Sequence, residues 1–296
     1  MHQGGFRGLT VTATLLVLLT PGPSLEAQIQ AVNPQIRAAK GQNVSPIFEG
    51  WFKAPDGSTW VSFGYYNRNT EEVVSVPVGP ANRVEPGPAD QGQPTRFLPG
   101  RQHGVFTARV PQDRPKTEVT WTLTVYGQAL SIPGNLDPNF YIEPFKELGG
   151  SYPGNAPPTL RLEPAAVAVQ GPTGTTITRS TTVAKPLALD VWVADDGLPP
   201  PLPPARGRGR GGAGTDGGRG RGAEGPRLSV TWTQFRGTGS ATFAQATPPL
   251  EQGKASTSVT FSDPGEYMLR VLASDGSGFS AQCCWTNGYV KVVVGR

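Results

Sequence analysis

Histidine, cysteine and charge are all scarce in this chain of 296 residues, and each shortage excludes something. Of the two histidines only His103 lies outside the extreme N-terminus, so neither a multi-histidine metal site nor a histidine-rich acid–base system can be assembled. His103 stands at a strand entrance beside Gly104 and reads as a surface or hydrogen-bonded structural residue. The two cysteines, Cys283 and Cys284, are adjacent, which rules out the disulfide framework that staples small exported folds. Stability has to come from burial. Charged residues make up 16% of the chain, and no carboxylate pair stands out among them as hydrolytic machinery. Neither a Gly-x-Ser-x-Gly elbow nor a Gly-x-x-x-x-Gly-Lys-Ser/Thr loop occurs. The chain is therefore read as no enzyme, and no cofactor is expected.

Backbone punctuation is plentiful: 39 glycines and 31 prolines, nearly a quarter of all residues. The N-terminus carries Arg7, an apolar stretch from Leu9 to Leu19, Pro21-Gly22-Pro23 and then Leu25-Glu26-Ala27. Basic start, short apolar core, helix breaker and small residue match a secretory signal cut after Ala27, which places the mature protein in the periplasm or outside the cell. No later run is long and apolar enough to span a bilayer, which takes roughly 20 residues.

After a flexible lead-in over 28–45, short strands alternate with turn signals. Ile47–Lys53 and Thr59–Tyr66 are joined through Asp56-Gly57, which supplies the positive φ of a tight turn. His103–Val110 and Val119–Val125 alternate apolar and polar residues, with Trp121 facing inward. These form an N-terminal β-sandwich over 46–142, and the Gly/Pro-rich stretch 143–158 reads as an interdomain linker. In 159–296, Leu187, Leu189, Val191 and Val193 alternate inward, as do Leu228, Val230 and Trp232, then Tyr267, Leu269, Val271 and Ala273. The fold class is all-β, with two sandwich domains. The second is interrupted by a long insertion over 199–226. Ala205–Glu224 holds five arginines against Asp216 and Glu224, a net +3 of the chain's +4, and no large apolar residue. Such a loop is expected to be disordered, able to contact polyanions but carrying no specific nucleic-acid reader.

Four stretches carry a resemblance: Pro186–Leu189 through Asp195-Asp196-Gly197; Val230-Thr231-Trp232 with Gly237-Thr238-Gly239; Phe261–Tyr267 around Asp263-Pro264-Gly265; and Ala273-Ser274-Asp275-Gly276. Over about 165–296 the chain resembles the PKD/cadherin-like branch of immunoglobulin-like domains in bacterial exported proteins, departing from it in the Arg-Gly loop and the paired cysteines. The resemblance implies a scaffold or binding module, with Tyr267 tied back to nearby backbone at a strand corner. The first domain, through Gly64–Asn69 and Gly92–Thr95, resembles domains of hypothetical secreted bacterial proteins with no assigned activity.

Three groups of residues are candidate sites. If Phe48 and Phe52 pack inward with Val61 and Phe63, then Trp51, Trp60 and Tyr66 share an outer face, with Ser62 and Gly64 leaving a shallow strip for a sugar ring. The competing use of that face is packing on a second sheet or on the other domain. Asp195, Asp196 and Asp275 fall at one pole of the second sandwich, where calcium would find clustered oxygens; the alternative is that Asp-Gly pairs simply make turns. Cys283 and Cys284 are expected as an exposed vicinal disulfide or an intermolecular link, with a partly buried thiol pair as the alternative. The functional expectation is a secreted, non-catalytic binding or adhesion protein of the cell envelope or matrix, with polysaccharide or an envelope protein as partner. The alternatives are a structural spacer of an envelope complex and an enzyme of unrecognised type.

Overall fold

The computed structural model describes residue 1 and residues 38–114, 116–149, 152–198, 200, 228–277 and 283–296. The signal-like segment and the Arg-Gly insertion lie outside the described residues, apart from Met1 and Pro200. Ala38–Arg296 forms one compact unit. It is all-β, with a single 3₁₀ turn at Pro138–Phe140 as the one helical element among the described residues.

The first half contributes β1 (Val44–Lys53), β2 (Thr59–Asn67), β3 (Val74–Ser75), β4 (Asn82–Glu85), β5 (Arg96–Phe97), β6 (Gly100–Arg109), β7 (Val119–Val125) and β8 (Gln128–Gly134). The β1-β2-β6 sheet faces the β4-β7-β8 sheet, with β3 and β5 paired at the side. Period-2 alternation fills the space between: Val61, Phe63, Val84, Phe97, Val119, Trp121 and Leu123 are fully buried in one cluster. Trp121 sits at its centre, edge-on to Phe106 with ring centroids 4.9 Å apart, and its indole donates to Asn82 Oδ1 at 3.0 Å. Ala38–Asn43 is pinned to the loop after β2: Glu72 N donates to Ala39 O at 3.0 Å, and Gln42 N to Asn69 Oδ1 at 2.6 Å.

The second half contributes β9 (Thr159–Arg161), β10 (Thr176–Thr182), β11 (Leu187–Ala194), β12 (Ser229–Arg236), β13 (Ala241–Phe243), β14 (Leu250–Glu251), β15 (Lys254–Phe261), β16 (Gly265–Ser274) and β17 (Trp285–Gly295). One sheet runs β10-β17-β16-β12, the other β13-β15-β11-β9, with β14 added to β15. Between them lie Leu189, Val191, Trp232, Val259, Phe261, Leu269, Val271 and Val292. Tyr267 opens β16 and donates its hydroxyl to Asp263 O at 2.9 Å, the corner of immunoglobulin-like sandwiches. Tyr267→Phe should cost about 1 kcal/mol in chemical denaturation, because the ring stays packed while Asp263 O loses its partner. An unchanged midpoint would show that the corner bond contributes nothing net.

The two halves are knit together on the far side of the first sheet. Phe235 of β12 joins the first core, and its ring lies 5.4 Å from that of Tyr289. Arg236 grips Asp90 with both terminal nitrogens at 2.8 Å, and its Nε donates to Gln93 O at 2.8 Å. Arg270, 5% exposed, reaches Gly104 O at 2.7 Å while its Nε is held by Asn287 Oδ1 at 2.9 Å. Burial pulls this guanidinium below its ordinary pKa, and the bonds it makes are what hold a charge there. The stretch 143–158, linker-like in composition, is bonded into this joint. Its described residues make tight turns closed by backbone bonds, as in Glu147 N to Asn155 O at 2.8 Å and Gly154 N to Glu147 O at 2.7 Å.

Candidate functional site

The residues proposed as a sugar strip do not form one surface. A β-bulge in β1 between Phe48 and Gly50 inserts one residue, so Phe48 lies opposite Phe63 and Trp51 opposite Val61, while Phe52 lies opposite Trp60. Trp51 therefore points to the first core with Phe48, not outward with Trp60. It packs edge-on to Tyr141 at 4.9 Å and donates its indole to Asp137 O at 2.8 Å. Trp60 and Tyr66 do share a face, but the ground between them is occupied. Ser62 is 0% exposed, and Glu49 spans the strip with Arg101 at 2.7 Å and Gly104 N at 2.8 Å. His103 Nδ1 also faces Glu49, at 3.3 Å, which gives the histidine a structural setting. Above them, Phe52, Ile142 and Trp285 form a small core, with Trp60 packed against it. The packing use of the face prevails because the second half covers it.

Cys283 and Cys284 are bonded to each other, and both are buried rather than exposed. The turn that carries Asn155 lies over them, with Asn155 O 3.6 Å from the Cys284 sulfur. The same turn meets the three aspartates. Asp275 is buried and accepts from Asn155 Nδ2 at 2.8 Å and from Ser277 N at 2.8 Å. Asp196 accepts from Leu198 N at 2.8 Å and from Ala156 N at 2.9 Å, so both its oxygens serve as turn acceptors. Asp195 spends one oxygen on Gly197 N at 3.0 Å. Burial first, then the Asp196 and Asp275 charges, push the Asp195 carboxyl above its usual pKa, against the lowering effect of that bond.

An open, aromatic site lies instead at the flank of the second sandwich, where core residues such as Leu189, Trp232 and Val290 reach the surface beside Trp192. β11 sends Leu189, Val191 and Val193 inward and leaves Asp190 and Trp192 half-buried on the opposite face. β9 pairs with β11 only at Trp192, Val193 and Ala194, then leaves the sheet after Arg161. Where it departs, a cavity of 460 Å³ opens, walled by Leu162, Ile177, Trp192 and Trp232, with Glu163, Arg179 and Asp190 among its polar residues. A second depression of 380 Å³ adjoins it through Trp192, with Thr159, Arg161 and Gln252 on its walls. Trp192 is thus common to both hollows. Its ring lies 5.3 Å from Lys254 Nζ, which pairs with Asp190 at 3.1 Å; Arg179 pairs with Glu163 at 2.8 Å. Burial alone would raise the Asp190 pKa, but bonds from Ser256 and Lys254 outweigh it, so this carboxylate stays charged at neutral pH. Trp232, in the wall of the larger cavity, has a buried indole N–H with no partner among the described residues.

No family model matches the chain, and no curated protein matches it. Among solved structures it is similar to a chimeric titin Z1Z2 carrying an exogenous decorin peptide, at 12% identity and TM-score 0.24, over 86% of this chain and 100% of that one. It is also similar to the D00-D0 domain of intimin, at 8% identity and TM-score 0.25, over 85% and 100% of the two chains. A third is domains 4 and 5 of the S-layer protein SbsC, at 12% identity and TM-score 0.20, over 85% and 98%. Scores this low carry no argument about what the chain does. No helix among the described residues is long and apolar enough to cross a membrane.

Trp192 is absent from the candidates drawn from the sequence, although its signal is there. An outward tryptophan in a strand whose alternate residues are Leu189, Val191 and Val193 is an aromatic that the core does not need.

Proposed function

We propose that this chain is an exported, non-catalytic binding or adhesion module, of the PKD/cadherin-like kind, that takes polysaccharide across Trp192. The groove supports the reading. It offers a broad indole face between two adjoining hollows, wide enough together for successive sugar rings, and fixed charged groups at its edges for hydroxyls. Glu163, Arg179, Asp190 and Lys254 are already paired, so a neutral saccharide meets donors and acceptors held in place rather than stray charges.

Affinity electrophoresis of the mature chain on a broad panel of neutral and acidic polysaccharides tests this. Wild type should be retarded on at least one polymer, and Trp192→Ala should lose that retardation. Because Trp192 faces outward, the variant's melting temperature should stay within about 3 °C of wild type. Equal retardation of wild type and variant, or none for wild type on any polymer, would end the saccharide reading. The second reading is a spacer in an envelope complex, and the joint built by Arg236 and Arg270 favours it by fixing one arrangement of the two halves. Wild type that binds no polymer yet sediments with envelope fractions would point that way.

A further inference from the structure

The second half does not wholly cover the outer face of β2. Trp60 lies on that face, and so does Thr107 of β6, whose partner across the ladder is Ser62, two residues on from Trp60. Where the second half meets these two residues a hollow of 220 Å³ remains, walled on its side by Phe235, Met268 and Tyr289. Strands of both halves build it, so it exists only in the joined molecule. Seams of this kind are where proteins often take small ligands. None of its walls belongs to the Trp192 groove.

The walls define what fits. About 150 Å³ holds a benzene ring, so this hollow takes one ring with one or two small substituents. Among the described residues Arg236 is the one charged residue in the lining, and its charge is already answered. Both terminal nitrogens bond Asp90 at 2.8 Å, and Nε bonds Gln93 O at 2.8 Å. The same Arg236 bonds hold the Asp90 carboxyl below its usual pKa, so the pair persists at neutral pH. A charged ligand would be left uncompensated, which selects a neutral one.

The aromatic walls offer ring surface rather than polar tips. The Trp60 indole donates to Ser58 Oγ at 2.7 Å, and the Tyr289 hydroxyl to Val105 O at 3.3 Å. Phe235 and Tyr289 stand 5.4 Å apart at 60°, and Met268 adds a thioether, a set that favours an aromatic ring over an aliphatic one. Free polarity comes from hydroxyls. Thr107, Thr173 and Thr176 line the hollow, and their side chains make no hydrogen bond among the described residues. Three hydroxyls can serve one or two on a ligand. They are too few for a sugar, whose every hydroxyl costs free energy if buried unpaired.

We propose that this seam binds a small neutral aromatic alcohol, one ring bearing one or two hydroxyls, with the ring against Trp60, Met268 and Tyr289 and its hydroxyl among the three threonines. A ligand seated there touches both halves at once, so its binding reinforces the joint made by Arg236 and Arg270.

Calorimetry and thermal melting of the whole mature chain, with p-cresol as the probe, test the site. This phenol is uncharged at neutral pH, like the tyrosine side chain. It should bind with a dissociation constant below about 1 mM. At ten times that constant the melting temperature should rise by about 2–4 °C. Toluene, the same ring without the hydroxyl, should bind at least about threefold more weakly, and methyl β-glucoside should not displace p-cresol. Thr173→Phe fills the hollow from a half-buried position and should lower p-cresol affinity at least tenfold. Thr107→Val keeps the shape but removes a hydroxyl, and should lower it about three- to tenfold. Trp192→Ala should bind p-cresol as wild type does, so a failed polysaccharide assay leaves this result standing. No binding to wild type, equal affinity for toluene, displacement by methyl β-glucoside, or wild-type affinity in Thr173→Phe or Thr107→Val would each overturn the assignment. Loss of p-cresol binding in Trp192→Ala would overturn it too, by placing the probe in the groove. If Thr173→Phe does not fold, Thr107→Val and the toluene comparison still decide.

Discussion

Arg270→Ala should cost on the order of 3–5 kcal/mol and split a single melting transition into two. The side chain is almost wholly buried between the halves. Removing it strands Asn287 Oδ1, takes one of two donors from Gly104 O and leaves a void where the guanidinium lay. Asn287 Nδ2 still reaches Gly104 O at 3.1 Å and Pro172 O at 2.9 Å, so each half keeps its own core while their coupling weakens. Differential scanning calorimetry on wild type and variant reads both effects. One unshifted transition in the variant would mean that Arg270 is a passenger in a joint held by packing alone.

Gly104→Ala should be nearly as damaging, at about 2–4 kcal/mol, measured as the shift in a guanidinium unfolding midpoint with an unchanged slope. Gly104 adopts φ of +52°, and a Cβ there would lie 2.5 Å from the Trp285 indole nitrogen and 2.9 Å from its Cζ2. Trp285 is 2% exposed, walled by Phe52 and Ile142, so its ring cannot swing aside. The left-handed backbone adds about 1–2 kcal/mol for a residue with a side chain. A midpoint equal to wild type would show that the seam between the halves yields more readily than this geometry implies.

Much of the architecture could be read from alternation. The inward sets on β11, β12 and β16 follow from period 2, and the corner at Tyr267 from Asp263-Pro264-Gly265 before it. The first hairpin departs from plain alternation at one residue. An isolated glycine in a strand pattern marks a bulge, and Gly50 is such a mark; unbroken period 2 would turn Trp51 outward, whereas the bulge turns it to the core. The stretch 143–158 misled for a related reason. Glycine and proline report turns, and whether a turn floats or is knit into a joint depends on partners far away in sequence, such as Asp275 for Asn155.

β17 is an inner strand, paired on one side with β16 and on the other, in parallel, with β10. It also supplies Trp285, Asn287 and Tyr289, the residues that meet the first half. The second sandwich therefore cannot close, or seat on the first half, until β17 is in place. Until then β10 and β16 have no strand between them, and the Tyr65–Val105 region lacks its cover. One strand is thus the keystone of a sheet and the carrier of the joint's contacts, so anything that dislodges it opens both together.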